Sequence, residues 1–192
     1  YMVEYKDKLY VTGDIYRIGD DTINDIAALS SNIFSPVGKG MPLNNRRGYY
    51  CLAVYDSTLY MSGFITENPN KIHMAFAKWD GKNWSIVAEL KGTGIINAMA
   101  VFKGNLYLGG KFDDINGKPA HNIAVWDSKT FEPVGDGFTG KGLNSGSVHA
   151  LCVYKGELYA AGSFTSSGGK TVMNIARLNL NGTKPSSTKS RK

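Results

Sequence analysis

The sequence predicts an all-β chain of about four four-stranded β-propeller blades, and three observations carry that prediction. First, one pattern is written four times: Leu9-Tyr10-Val11-Thr12-Gly13, Leu59-Tyr60-Met61-Ser62-Gly63, Leu106-Tyr107-Leu108-Gly109-Gly110 and Leu158-Tyr159-Ala160-Ala161-Gly162. Its last glycines are 50, 47 and 52 residues apart, a period at which propellers repeat. Second, the flanking spacing is rigid. An aromatic lies eight residues before each glycine (Tyr5, Tyr55, Phe102, Tyr154) and a large apolar residue thirteen after it (Ile26, Phe76, Ile123, Ile175). Alanine follows every time (Ala27, Ala77, Ala124, Ala176), and two residues on comes Leu29, Trp79, Trp126 or Leu178. Third, no amphipathic helical period is visible, while 23 glycines and 11 tyrosines favour turns and strands.

The third repeat shows the elements in order. Strand A is read over Ile96–Phe102, and Lys103-Gly104-Asn105 turns the chain into strand B, Leu106–Phe112. A longer loop leads to strand C, His121–Trp126, and Asp127–Thr130 turns into strand D, Phe131–Val134. Similar turns are Asp56-Ser57-Thr58, Gly81-Lys82-Asn83 and Lys155-Gly156-Glu157, built from residues that accept positive φ at little cost. Val101, Phe102, Leu106, Tyr107 and Leu108 are apolar on both faces of the A–B hairpin, as required when each sheet is covered on both sides. A β-sandwich fits the strand content but not the fixed offsets. The glycine that ends strand B allows a close backbone approach or a bulge.

The repeats fall near 1–46, 47–94, 95–146 and 147–182, with a basic Ser/Thr/Lys tail at 183–192 expected to be disordered. Strand D is read near Phe34–Val37 and Trp84–Ala88, but the fourth repeat stops after Leu180-Asn181-Gly182. That missing strand, with a first residue Tyr1, favours an arc of a larger propeller over a small closed ring. An open arc would leave apolar blade faces that call for a partner or a larger assembly.

The order of apolar strand, turn, Leu-Tyr-x-x-Gly, loop and apolar-Ala-x-Trp-Asp resembles the kelch-type repeat. Gly109-Gly110 matches the kelch double glycine, Trp79-Asp80 with Trp84 matches the outer-strand aromatics, and Arg46-Arg47 resembles the kelch arginine position. The likeness is to kelch-like propellers of surface and cell-polarity proteins and covers residues 1 to about 182. It implies a fold rather than a function, because such blades serve enzymes and binding proteins alike.

Charge narrows the partners. The net charge is +6, but Lys184, Lys189, Arg191 and Lys192 place +4 of it in the tail, so the body gives no reason to expect specific nucleic-acid binding. No run of eighteen apolar residues exists to span a membrane. Two cysteines, Cys51 and Cys152, cannot make a disulfide scaffold and read as buried structural thiols. Asn83-Trp84-Ser85 and Asn181-Gly182-Thr183 fit the glycosylation tripeptide and tilt the compartment toward secretion or the cell surface.

Strand alternation puts the B–C and D–A connections on one face, and these are the long and variable ones, as on binding surfaces. The expected B–C loops are Tyr16–Asn24, Thr66–Lys71, Asp113–Ala120 and Thr165–Thr171. The candidate binding residues are Arg46, Arg47, Tyr49, Asp113, Asp114, Lys118, His121 and His149. Arginine beside tyrosine is an interface composition. His73, His121 and His149 lack metal-ligand spacing, and Asp113-Asp114-Ile115-Asn116-Gly117 reads as a turn rather than a calcium loop. No metal, cofactor or catalytic constellation is expected. The expected function is a non-catalytic protein- or glycan-binding propeller. The alternatives are the propeller of a carbohydrate-active or oxidase enzyme, or a structural subunit.

Overall fold

The computed structural model describes residues 1–23, 25–38, 51–68, 71–90, 92, 94–140 and 146–178. The first blade runs β1 (Met2–Tyr5), β2 (Lys8–Thr12), a short hairpin of β3 (Arg17–Ile18) and β4 (Asp21–Thr22), then β5 (Ile26–Ser30) and β6 (Ile33–Pro36). The second is β7 (Cys51–Tyr55), β8 (Thr58–Asn68), β9 (Lys71–Trp79) and β10 (Trp84–Leu90). The third comprises β11 (Ile95–Phe102), β12 (Asn105–Lys111), the hairpin β13 (Asp114–Ile115) and β14 (Lys118–Pro119), then β15 (Ile123–Trp126) and β16 (Phe131–Pro133). After it comes β17 (Phe138–Thr139), and the fourth blade holds β18 (Ser147–Tyr154), β19 (Glu157–Ser163), β20 (Ser166–Ser167), β21 (Lys170–Thr171) and β22 (Ile175–Arg177). The main sheets order β1-β2-β5-β6, β7-β8-β9-β10, β11-β12-β15-β16 and β18-β19-β22, each antiparallel.

Local chemistry fixes each register. The A–B turns Lys6-Asp7, Asp56-Ser57, Lys103-Gly104 and Lys155-Gly156 all hold positive φ at both residues, between 47° and 75°. That is the two-residue hairpin geometry whose twist matches the flanking strands. The Trp-Asp of the outer hairpin has its own role. Asp80 Oδ1 accepts from the Lys82 and Asn83 amides at 2.7 and 2.6 Å, and Asp127 Oδ1 accepts from Lys129 and Thr130 at 2.9 and 2.7 Å.

The Leu-Tyr dipeptide explains how the blades stack. Neighbouring strand residues point to opposite faces, so the leucine faces the preceding blade and the tyrosine the following one. Between the first two blades, Tyr5, Tyr10, Ile26 and Ala28 pack on Leu52, Leu59, Met61, Ala75 and Ala77. Between the second and third, Tyr55, Tyr60 and Phe76 meet Ile96, Leu106, Leu108 and Trp126. Between the third and fourth, Phe102, Tyr107, Ile123 and Val125 meet Val148, Leu158 and Ala160. The innermost strands β1, β7, β11 and β18 touch in succession, so the sheets stack about a shared axis, as expected.

Two expectations need correction. Thr66–Lys71 is not simply a loop, because β8 and β9 pair, with a register shift between Thr66 and Asn68, as far as Asn68 and Lys71. Strand C of the third blade begins at Ile123 rather than His121, because Asn122 has φ of 67°, which ends the extended backbone there. The tail at 183–192 and the fourth repeat beyond 178 lie outside the described residues.

Candidate functional site

The long-loop face is framed by a feature repeated in three blades. Asp25, Asn122 and Asn174 each take a left-handed φ of 61°, 67° and 62° just before strand C. Their carbonyls accept from the repeat glycines, Gly13 N at 3.2 Å, Gly110 N at 3.0 Å and Gly162 N at 2.9 Å. Asp and Asn tolerate that conformation better than other residues with side chains. Asn122 also ties loops together: its Oδ1 accepts from Phe112 N at 3.0 Å and its Nδ2 donates to Phe138 O at 2.8 Å.

Two of these glycines, Gly110 and Gly162, also let the inner strand bulge. The pairing of β11 with β12 shifts between Ile96 and Ala98, and that of β18 with β19 between Val148 and Ala150. The bulged residues are therefore Asn97 and His149. A Cβ on Gly110 would lie 1.9 Å from Ile95 O and one on Gly162 2.0 Å from Ser147 O, so close approach and bulge occur together. Asn97 Nδ2 donates to Val148 O at 3.0 Å, and Asn97 O accepts from Tyr1 Oη at 2.6 Å. Ser62 Oγ donates to Ile96 O at 2.9 Å. Through these bonds the inner strand of the third blade is tied to each of the other three blades. Burial pushes the Cys51 thiol up to about 12 despite its hydrogen bonds with Ser62, so it is inert near neutral pH. Cys152 is exposed, which corrects the expectation that both thiols are buried.

A cleft of about 410 Å³ opens between the third and fourth blades. It is lined by Asp136, on the connection leaving the third blade, by Ser167 and Lys170 of the β20–β21 hairpin, by Arg177 of β22, and by apolar Val134, Val172 and Leu178. The two sides are joined by a ladder, since Phe138 and Thr139 of β17 pair with Ser167 and Ser166. Beneath it Phe138 stacks on Phe164 with ring centroids 4.2 Å apart.

Of the described candidates from the sequence, Asp113, Asp114, Lys118 and His121 lie on or beside the β13–β14 hairpin of the third blade, and His149 lies apart on β18 of the fourth. Arg46, Arg47 and Tyr49 lie outside the described residues. Asp114 Oδ1 accepts from Gly117 N at 3.2 Å within the β13–β14 turn, where Asn116 and Gly117 both have positive φ. Lys118 pairs with Glu132 on the outermost strand β16. Asp113 and His121 are exposed, and the His121 carbonyl accepts from Phe138 N at 2.9 Å. His149 Nε2 lies 2.9 Å from Ser163 Oγ near the axis. Among the described residues no hydrogen bond or ion pair joins any two of these five, and no group of three or more His, Cys, Asp or Glu side chains could hold a metal. The serine–histidine pair lacks, among the described residues, the third group that orients a catalytic base. Ser167, Lys170 and Asp136 were not singled out by the sequence. Their signal was their position in the Thr165–Thr171 and Asp136–Ser147 connections, which carry no motif.

The chain is a β-propeller domain. The family described as "Domain of unknown function (DUF5122) beta-propeller" matches residues 156–184. No curated protein matches, whereas 61 chains of solved structures do. One is an exo-1,5-α-L-arabinanase from a bovine ruminal metagenomic library, 11% identical, with a TM-score of 0.43 over 86% of this chain and 64% of that one. The chain thus spans less than two thirds of that protein, and the likeness concerns fold. The expectation of a non-enzyme is corrected here, because an arabinanase is among the structures matched.

Proposed function

We propose that this chain is the kelch-like propeller domain of a carbohydrate-active protein, and that the cleft between its third and fourth blades holds a segment of glycan. The carrying observation is that cleft. Its volume of about 410 Å³ falls within the range of small-molecule sites, roughly 300–1,000 Å³. The Asp136 carboxylate can accept from vicinal hydroxyls while Lys170 and Ser167 donate, and the apolar lining suits the C–H face of a sugar ring. Glycoside cleavage commonly uses two carboxylates. Asp136 is the one carboxylate among the described lining residues, so the cleft by itself supports holding sugar, and a second acid would have to come from elsewhere.

Titration calorimetry against a panel of arabino-, xylo- and galacto-oligosaccharides tests the reading, with reducing-end release measured on the same sugars. At least one sugar should bind, and Asp136→Asn or Lys170→Met should weaken it about tenfold, the loss of one charge-assisted hydrogen bond. No binding at millimolar sugar, or binding untouched by both substitutions, would remove the cleft from consideration.

A further inference from the structure

The internal blade contacts follow one recipe, and among the described residues the fourth blade presents half of it uncovered. In every blade the aromatic of strand A and the tyrosine of strand B form a pair on the face toward the next blade: Tyr5–Tyr10, Tyr55–Tyr60, Phe102–Tyr107 and Tyr154–Tyr159, with centroids 5.8, 6.2, 6.1 and 6.4 Å apart. The first three pairs are buried, whereas Tyr154 is 58% exposed and Ile175, at the far end of the same sheet face, 63%. The hydroxyls repeat too. Tyr5 Oη donates to Ser57 O at 3.2 Å and Tyr55 Oη to Gly104 O at 3.0 Å, each the second residue of the next blade's A–B turn.

The complementary half sits on the first blade. Leu59, Leu106 and Leu158 are fully buried by the blade before them. Their counterpart Leu9 is only half-buried, as is Val11 at the position of Met61, and Met2 is 70% exposed. We propose that the outer face of the fourth blade docks the first blade of a second copy of this chain, head to tail. Tyr154 and Tyr159 cover Met2, Leu9 and Val11, and Tyr154 Oη donates to the Asp7 carbonyl, the equivalent of Ser57 and Gly104. The match is heterologous, so the contact can recur at the other end and close a ring.

Light scattering of the whole chain across a concentration series reads the outcome. The mass should rise from 20.9 kDa toward twice that value by about 100 µM, as for a contact of standard size. Exposed Cys152, on the same face, should be alkylated several-fold more slowly at high concentration than at low. Met2→Arg and Tyr154→Arg, both at exposed positions, should each leave a monomer with an unchanged melting temperature. An equimolar mixture of the two should regain dimer, because each variant keeps one sound face. A single-chain mass at every concentration overturns the proposal, and so does a Met2→Arg variant that still dimerises, which would mean tail-to-tail pairing.

Discussion

Substituting alanine for the repeat glycine should have opposite effects in different blades. A Cβ on Gly110 would meet Ile95 O at 1.9 Å, with Ile95 C and Ile96 Cα both at 2.9 Å. Real Cβ atoms essentially never come within 3.0 Å, so the inner strand would have to retreat by at least 1.1 Å. That strand cannot give easily, because Ile96 is wholly buried against the second blade and its carbonyl accepts from Ser62. Forced overpacking of this kind costs about 3 kcal/mol, the upper part of the usual range. For a chain of this size the melting temperature should fall by roughly 6–12 °C. Gly13 holds the same place in the first blade, yet a Cβ there meets nothing within 4 Å, and its φ lies outside the left-handed region. Gly13→Ala should therefore be neutral or stabilise by about 0.5 kcal/mol through the unfolded chain. Thermal melts of the two variants beside the native protein decide the matter. A Gly110→Ala midpoint equal to the native one, or an equal fall for Gly13→Ala, would refute the close-approach argument.

Asn122→Leu should destabilise by about 2–4 kcal/mol in urea titration, because it leaves the Phe112 amide and the Phe138 carbonyl without their partner; a loss below about 0.5 kcal/mol would show the loops are held by other contacts. A thiol reagent should modify one cysteine quickly under native conditions, exposed Cys152, and reach Cys51 only on unfolding; two fast thiols would contradict the buried, raised Cys51. The carboxyl of Asp80 is held low by the Asn83 and Lys82 amides, and that of Asp127 is lowered by the Thr130 and Lys129 amides against the opposing effect of burial. Their contribution is complete above the unfolded value of about 3.9 and disappears as pH falls through the lower folded values. Asp80→Asn with Asp127→Asn preserves both turns and should flatten the loss of melting temperature between about pH 4 and pH 2; identical acid limbs would show that these turns do not couple to protonation.

What could be read from the sequence was what each blade repeats in its own side chains. Leu-Tyr alternates faces, so its recurrence with an aromatic eight residues before the glycine encodes two interfaces at once. The left-handed residue before strand C was missed, although Asp25, Asn122 and Asn174 all lie twelve residues after the repeat glycine. The fourth position there is Ala75, inside the continuous β9, so identity fails where the conformational demand is absent. A search for repeated residue types overlooks a repeated φ.

The cleft was hidden for a different reason. Its walls belong to the connection leaving one blade and the B–C hairpin of the next, and they are joined by the pairing of β17 with β20. Aligning repeats compares equivalent positions and discards what happens between them, so a site made of non-equivalent loops leaves no periodic trace. Asp136 and Lys170 lie 34 positions apart in sequence, yet both line one cavity, because Asn122 fixes the Phe138 carbonyl and Phe164 supports the Phe138 ring. The uncovered fourth-blade face follows the opposite logic. It is the periodic interface itself, continued past the last sheet described, and for that reason its residues could be picked out by equivalence with Tyr5, Tyr55 and Phe102.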